Sequence, residues 1–251
     1  GSGRLRVSMK QPVGSSVVLG CESIFHEGDL NEIELIALDG VGKVAVAYVS
    51  PAGSLAQGLL RVAWKLSDSS ALQWGSEVEF SPSLYSPPGS RRIAVAAING
   101  SQVVVAFQEF DASTAAVYTW VRLLDITGVS VELRDKGLLN PAPALHVTLT
   151  VLSDGRFVAS FLDSRSTLMK TTLQMALVRG NSIAWGDVRV TDSAPAFTLA
   201  LSPEGPIVVA SAQSAIWFAA RDNQLSTGRI THWLTQFGDR ELNTDGVQPS
   251  S

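Results

Sequence analysis

Segments of this chain can be laid on one another at a spacing of about 55 residues, and this repetition limits the fold more tightly than anything else in it. Arg6-Val-Ser-Met-Lys10 falls on Arg61-Val-Ala-Trp-Lys65, and Gly20-Cys-Glu-Ser-Ile-Phe25 falls on Gly75-Ser-Glu-Val-Glu-Phe80, both at the same offset. The closing segment returns as Gly128-Val-Ser-Val-Glu-Leu133 and again as Trp185-Gly-Asp-Val-Arg-Val190. An opening pair recurs independently of it. Ile33 to Val49 is followed by Ile93 to Gly100 with Val103 to Phe107, by Val147 to Gly155 with Phe157 to Phe161, and by Phe197 to Gly205 with Ile207 to Ser211. Each copy holds short runs rich in β-branched and aromatic residues, parted by Gly, Ser, Asp and Pro, which is the pattern of an antiparallel four-stranded meander.

A period in the fifties with four strands per copy belongs to the blades of a β-propeller. The expected architecture is therefore all-β, one domain over residues 1–237 with blades at 32–80, 91–133, 145–190 and 196–234. Residues 5–25 match third and fourth strands without a first and second, and so form a half blade. Residues 238–251 read as a polar tail or linker. Propeller rings often close by letting one terminus complete the blade begun by the other, because this removes a sheet edge. Phe197 to Ser211 offers a hairpin for that purpose, yet Ile216 to Ala220 and Arg229 to Leu234 look like the same copy's own third and fourth strands. The two uses exclude each other. The second is favoured here, and it implies a larger propeller.

Composition removes several function classes. The net charge of −4 and a pI near 5.4 give no electrostatic reason for nucleic acid or an anionic membrane as partner. No apolar run reaches the length of a membrane-spanning helix. Cys21 stands alone, so no internal disulfide forms, and on a strand it reads as a small buried hydrophobe. His26, His146 and His232 are scattered, and no short spacing of His and Cys suggests a metal. Ser153-Asp-Gly155 lacks the further oxygen ligands of a cation loop and reads as a hairpin turn. Neither a Gly-x-Ser-x-Gly elbow nor a phosphate-cradling Gly loop is present. No cofactor is expected.

Connections of a propeller alternate between two faces. The longer ones gather on one of them: residues 26–31, 50–57, 81–92, 109–116, 134–144 and 163–170. Polar candidates for ligand binding on that face are Glu109, Asp111, Asp163 and Arg165, with Tyr85 as an exposed aromatic. The tryptophans invite a sugar-stacking reading. Trp64, Trp120 and Trp217 fall within third strands, however, and Trp74 and Trp185 open fourth strands, so packing between blades is the expectation for them. Trp233 is less bound by pattern.

Leu66-Ser-Asp-Ser-Ser-Ala-Leu-Gln-Trp74 and Arg179-Gly-Asn-Ser-Ile-Ala-Trp185 resemble degenerate Asp boxes of the sialidase-like propellers, where a polar turn precedes a Trp opening the last strand. The first lacks the expected Gly, and the second has Asn181 for the expected Asp. Closing strands of the Gly-Ser-Glu-Val type also resemble tandem propeller repeats of large secreted or surface proteins of microbes. That resemblance implies a secreted, surface or lumenal setting and names no activity. A sialidase would need an arginine cluster, an acid/base carboxylate and a Tyr nucleophile. Arg91, Arg92, Arg134 and Arg165 with Asp111, Asp163 and Tyr85 could be assembled into one, but the arginine motifs of that family are not recognisable. The chain is expected not to be an enzyme. The reading adopted is a protein-interaction or scaffold module with a protein partner. The alternative is a lectin-like, carbohydrate-binding propeller, and a glycoside hydrolase ranks third.

Overall fold

The computed structural model describes residues 3–10, 17–38, 42–52, 55–65, 72–85, 93–151, 155–163, 165 and 171–190. For 207–210, 215–221, 230–237 and 242–243, as for 5–10 and 17–21, it describes the backbone alone. Every regular element among these residues is a β-strand, and every pairing is antiparallel.

The strands follow one another as meanders. The first two, β1 (Gly3–Lys10) and β2 (Val17–His26), form a two-stranded sheet by themselves. The first meander comprises β3 (Glu32–Ala37), β4 (Lys43–Ala52), β5 (Leu55–Lys65) and a broken fourth strand, β6 (Leu72–Trp74) with β7 (Val78–Leu84). In the second, β8 (Ile93–Asn99), β9 (Gln102–Asp111), β10 (Ala116–Thr127) and β11 (Ser130–Asn140) pair in order. The third is β12 (Ala144–Val151), β13 (Arg156–Asp163), β14 (Thr171–Arg179) and β15 (Ser182–Val190). The fourth sheet runs β16 (Ile207–Ala210), β17 (Ala215–Arg221), β18 (Ile230–Phe237) and β19 (Leu242–Asn243). Its β16 pairs with β17 of its own copy, so that hairpin is not lent to β1 and β2. Phe197 to Pro206, Arg91 and Arg92, the tip of the Ser153 turn, and the side chains of Cys21, His146, Trp217, His232 and Trp233 lie outside the described residues.

Successive meanders pack in one fixed way, and the result is propeller-like. The first strand of each rests on the first and second strands of the one before it: β8 on β3 and β4, and β12 on β8 and β9. The outer strands β11 and β15 also adjoin. Because side chains alternate across a strand, each sheet offers one face to either neighbour. Ala47, Val49 and Leu60 meet Ile93, Val105 and Phe107 between the first two meanders. Ala94, Val104 and Ala106 meet Val147, Phe157 and Phe161 between the second and third. A backbone bond from Tyr85 N–H to the Gln108 carbonyl (2.9 Å) and one bridge between Leu84 and Glu109 tie the first two sheets at a corner.

The sequence repeat is also a repeat of contacts. Phe25 and Tyr48 stack with centroids 5.2 Å apart and planes at 60°, while Phe80 and Phe107 do so at 5.3 Å and 56°. A glycine underlies each closing aromatic. A Cβ on Gly3 would lie 2.6 Å from Phe25 Cζ and Leu30 Cδ1, and one on Gly58 would lie 2.5 Å from Phe80 Cζ and 3.0 Å from Leu84 Cδ1. The third strand carries Gly because the ring from the fourth strand crosses directly over its backbone.

Three expectations need correction. Residues 134–140 are the second half of β11 and not a loop, because β11 continues pairing with β10 as far as Asn140 opposite Thr119. Trp64 is not in the core: it is 42% exposed. Trp120 is partly buried against the core between the first two meanders, and it pairs with Phe107, whereas Trp64 pairs with Lys43 at the far end of its strand. The two do not occupy equivalent positions. Trp74 and Trp185 do pack between units, the first against Phe25 at 5.7 Å and the second over Gly137 of β11. Within β15, Trp185 lies inside the strand and does not open it.

Candidate functional site

The five candidate ligand residues occupy the rim where second strands turn into third strands and fourth strands lead onward. Tyr85 follows β7 directly and is 36% exposed, with its N–H already given to Gln108. Glu109, beside the corner bridge, accepts hydrogen bonds from Ser81 Oγ (3.2 Å) and from Lys136 Nζ. The ammonium of Lys136 in turn lies 4.5 Å above the Trp120 ring, so one cation neutralises Glu109 and packs on an aromatic face. Asp111 closes the turn from β9 to β10, accepting from the N–H (2.8 Å) and hydroxyl (2.7 Å) of Ser113. Those Ser113 bonds hold its carboxyl below the usual carboxylate range.

At the end of β13, Asp163 is gripped by Arg165, whose Nη2 donates at 2.6 Å, whose Nε donates at 3.0 Å and whose backbone N–H also donates at 3.0 Å. Asn140 Nδ2 adds a fourth bond at 3.3 Å. Burial resists ionisation of Asp163, but the Arg165 guanidinium and N–H outweigh it and hold its carboxyl below the ordinary range. Tyr85, Glu109 and Asp111 thus gather at one end of the second meander, while Asp163 and Arg165 sit at its junction with the third. No described hydrogen bond joins the two sets. Arg134 belongs to neither: it pairs with Asp125 (2.7 Å) and Glu132 (2.6 Å) near the Gly128 turn, at the other end of β11 from Asn140. Buried polar side chains below this rim serve the chain crossing from β11 to β12. Thr119 Oγ1 donates to the Ala142 carbonyl at 2.9 Å and accepts from the Ala144 N–H at 3.0 Å, and Gln108 Nε2 donates to the Ala144 carbonyl.

A second cluster escaped the sequence reading. The two-stranded sheet meets the first meander through Phe25, Tyr48, Leu59 and Trp74. Beside that contact, Tyr48 donates its hydroxyl to Glu77 Oε2, and His26 Nδ1 lies 3.1 Å from the same oxygen. Ser50 Oγ is 3.4 Å from His26 Nε2 and 3.5 Å from the Asp29 carbonyl. Hydroxyl, imidazole and carboxylate in that order are the groups of a nucleophile relay. Here both Ser50 contacts are long, its single proton has two acceptors, and the Tyr48 phenol also claims Glu77. The bonds act as a polar latch between sheets that the sequence places about 50 residues apart. Burial, and then Glu77, push the Tyr48 phenol far above its ordinary value. Burial resists ionisation of Glu77 as well, but the Tyr48 and His26 bonds outweigh it and lower its pKa. A lowered folded-state value means that the latch stabilises the fold above the ordinary glutamate range and is lost as pH falls through the folded value. Thermal unfolding between neutral pH and about pH 3 is expected to show a smaller acid-induced drop for Glu77→Gln than for the parent chain. An equal drop in both would remove Glu77 from this role.

Among the described residues, no group of three His, Cys, Asp or Glu side chains has metal-binding geometry. No described helix is long and apolar enough to cross a membrane. No family model matches the chain, and no curated protein matches it. Among solved structures it is similar to the acylaminoacyl peptidase of Pyrococcus horikoshii, with a TM-score of 0.45 and 11% identity over 88% of this chain and 32% of that one. It is also similar to the GH32 β-fructofuranosidase of Bombyx mori, with a TM-score of 0.41 and 10% identity over 87% of this chain and 48% of that one. The chain spans less than half the length of either.

Proposed function

We propose that this chain is a non-catalytic interaction module: consecutive blades of a β-propeller that dock on another protein within an assembly. One observation carries the reading. The polar groups that could receive a sugar or perform hydrolysis are engaged with one another, Glu109 with Lys136, Asp111 with Ser113, and Asp163 with Arg165. Large apolar side chains meanwhile stand open, with Ile33 49% and Leu35 51% exposed on β3. A ligand that used those carboxylates would first have to break charge-assisted bonds, whereas a protein partner covering Ile33 and Leu35 gains by removing apolar surface from water.

Carbohydrate binding is the alternative, and a glycoside hydrolase the more distant one. Tryptophan fluorescence titrated with neutral and acidic sugars is expected to give no saturable response. A partner retained from native material at one-to-one stoichiometry should be lost on Leu35→Lys. A sugar response abolished by Asp163→Asn at unchanged thermal stability would replace the docking reading with the lectin one.

A further inference from the structure

Arg122 is partly buried on β10, its Nε is shut off from water, and among the described residues it makes no hydrogen bond or ion pair. A guanidinium drawn from water without a partner costs free energy. Alternation along β10 puts it on one face with Trp120 and Leu124, both of which pack between the first two meanders. Across the ladder, the same face of β11 carries Leu138 opposite Trp120, Lys136 opposite Arg122 and Leu133 opposite Leu124. Leu138 is 41% exposed and Leu133 36%. The fourth strand of the first meander is broken alongside them. Phe80 on β7 meets Phe107, the partner of Trp120, and Gly75 closes on the Val129 carbonyl past the far end of β10, so the break between β6 and β7 runs beside Arg122.

Among the described residues, no acid answers Arg122 from either side. On the broken strand, Glu77 turns to Tyr48 and His26, and Glu79 turns to Gln57 from a place opposite Leu59, on the face toward Phe25. On the second meander, Asp125 and Glu132 hold Arg134, while Glu109 is held by Lys136. One cation on this face is therefore unmatched. We propose that this strip takes an acidic side chain of the partner protein, whose carboxylate pairs with the Arg122 guanidinium while apolar residues beside it settle on Leu133 and Leu138. The inference rests on the interaction-module reading and adds a contact on the outer strand of the second meander, apart from Ile33 and Leu35. An arginine and a carboxylate form paired, charge-assisted bonds. Folding has already stripped water from part of Arg122, so pairing it adds less desolvation than pairing an open arginine would. Lys136, fixed over Trp120, adds positive potential from across the ladder.

The probe is a phage-displayed library of random short peptides selected on the full chain. Retained peptides should carry Asp or Glu flanked by apolar residues, bind at one to one, and lose affinity about tenfold or more when that acid becomes its amide. Arg122→Met keeps the stem and removes the charge. It should cost the same factor and leave the thermal midpoint unchanged or raised, because the parent chain holds that charge unpaired. Leu133→Glu, an exposed change on the same face, should block the peptides by supplying a carboxylate from within the chain. Arg179→Gln, at an exposed arginine of the third meander, should leave binding unchanged. No enrichment, enriched peptides without an acid, binding indifferent to Arg122→Met, or a lowered midpoint in that variant each overturns the site. Saturable calorimetric binding of acetate or phosphate without any peptide enrichment also overturns it, in favour of a small-anion site. If the library yields nothing while a stoichiometric partner is still lost on Leu35→Lys, the docking reading stands and only the acidic contact falls. If that partner is missing as well, both fall.

Discussion

Truncating Phe107 to alanine is expected to lower the unfolding free energy by about 3–5 kcal/mol, with a clear fall in the urea midpoint. Phe107 has no exposed surface and is shared between two sheets. Its ring meets Phe80 from the first meander at 5.3 Å, it pairs with Ile93 and Trp120 in its own, and the Lys136 ammonium sits 5.6 Å above its face. Alanine would leave a cavity bounded by strands of two sheets, which cannot collapse without moving a whole unit. The matching change at the open face, Ile33→Ala, should cost less than about 0.5 kcal/mol, since a half-exposed side chain has little packing to lose. A loss at Phe107 as small as that at Ile33 would show that the interface between the first two meanders is not formed.

Placing a methyl group on Gly58 is expected to destabilise by about 1–3 kcal/mol, the usual range for overpacking. The added carbon would meet Phe80 Cζ at 2.5 Å and Leu84 Cδ1 at 3.0 Å, and Phe80 is pinned from its other side by Phe107. Relief must come from the ring, so Phe80→Leu should cost less in the Gly58→Ala background than in the parent chain, by a coupling of about 1 kcal/mol. Gly3→Ala should behave alike through Phe25 and Leu30, because the same crossing is built there. Simple additivity of Gly58→Ala and Phe80→Leu would mean that the ring does not lie over that backbone.

The repetition of these crossings was legible in the sequence, since Phe25 and Phe80 superimpose at one offset and their glycines, Gly3 and Gly58, follow at the same one. Tyr48, Phe107 and Phe161 hold matching places in the repeated second strands, and all three are buried. What alternation cannot report is which neighbour covers a given face. Ile33 and Ile93 read alike along the chain and differ in space: β3 and β4 lie beneath Ile93, whereas Ile33 is half exposed. Trp64 misled for a related reason: its residue type suggested packing, but its place toward the Gly42 end of β5 puts it beyond the neighbouring sheet. Of the rim candidates, Glu109 and Asp111 lie at the end of β9 and Asp163 at the end of β13, while Tyr85 and Arg165 follow strands. Their partners were not legible, since Lys136 reaches Glu109 across 27 residues and Glu77 reaches His26 across 51.

Thiol reactivity at three matched positions tests most directly the claim that β8 and β12 are buried by resting on the inner strands of the unit before, while the same face of β3 is open. In a Cys21→Ser background, Ile33→Cys should react with a maleimide at a rate near that of a free thiol. Ile93→Cys and Val147→Cys should react at least about a hundredfold more slowly, limited by local opening. Equal rates at all three positions, or a protected Cys at 33, would contradict the account.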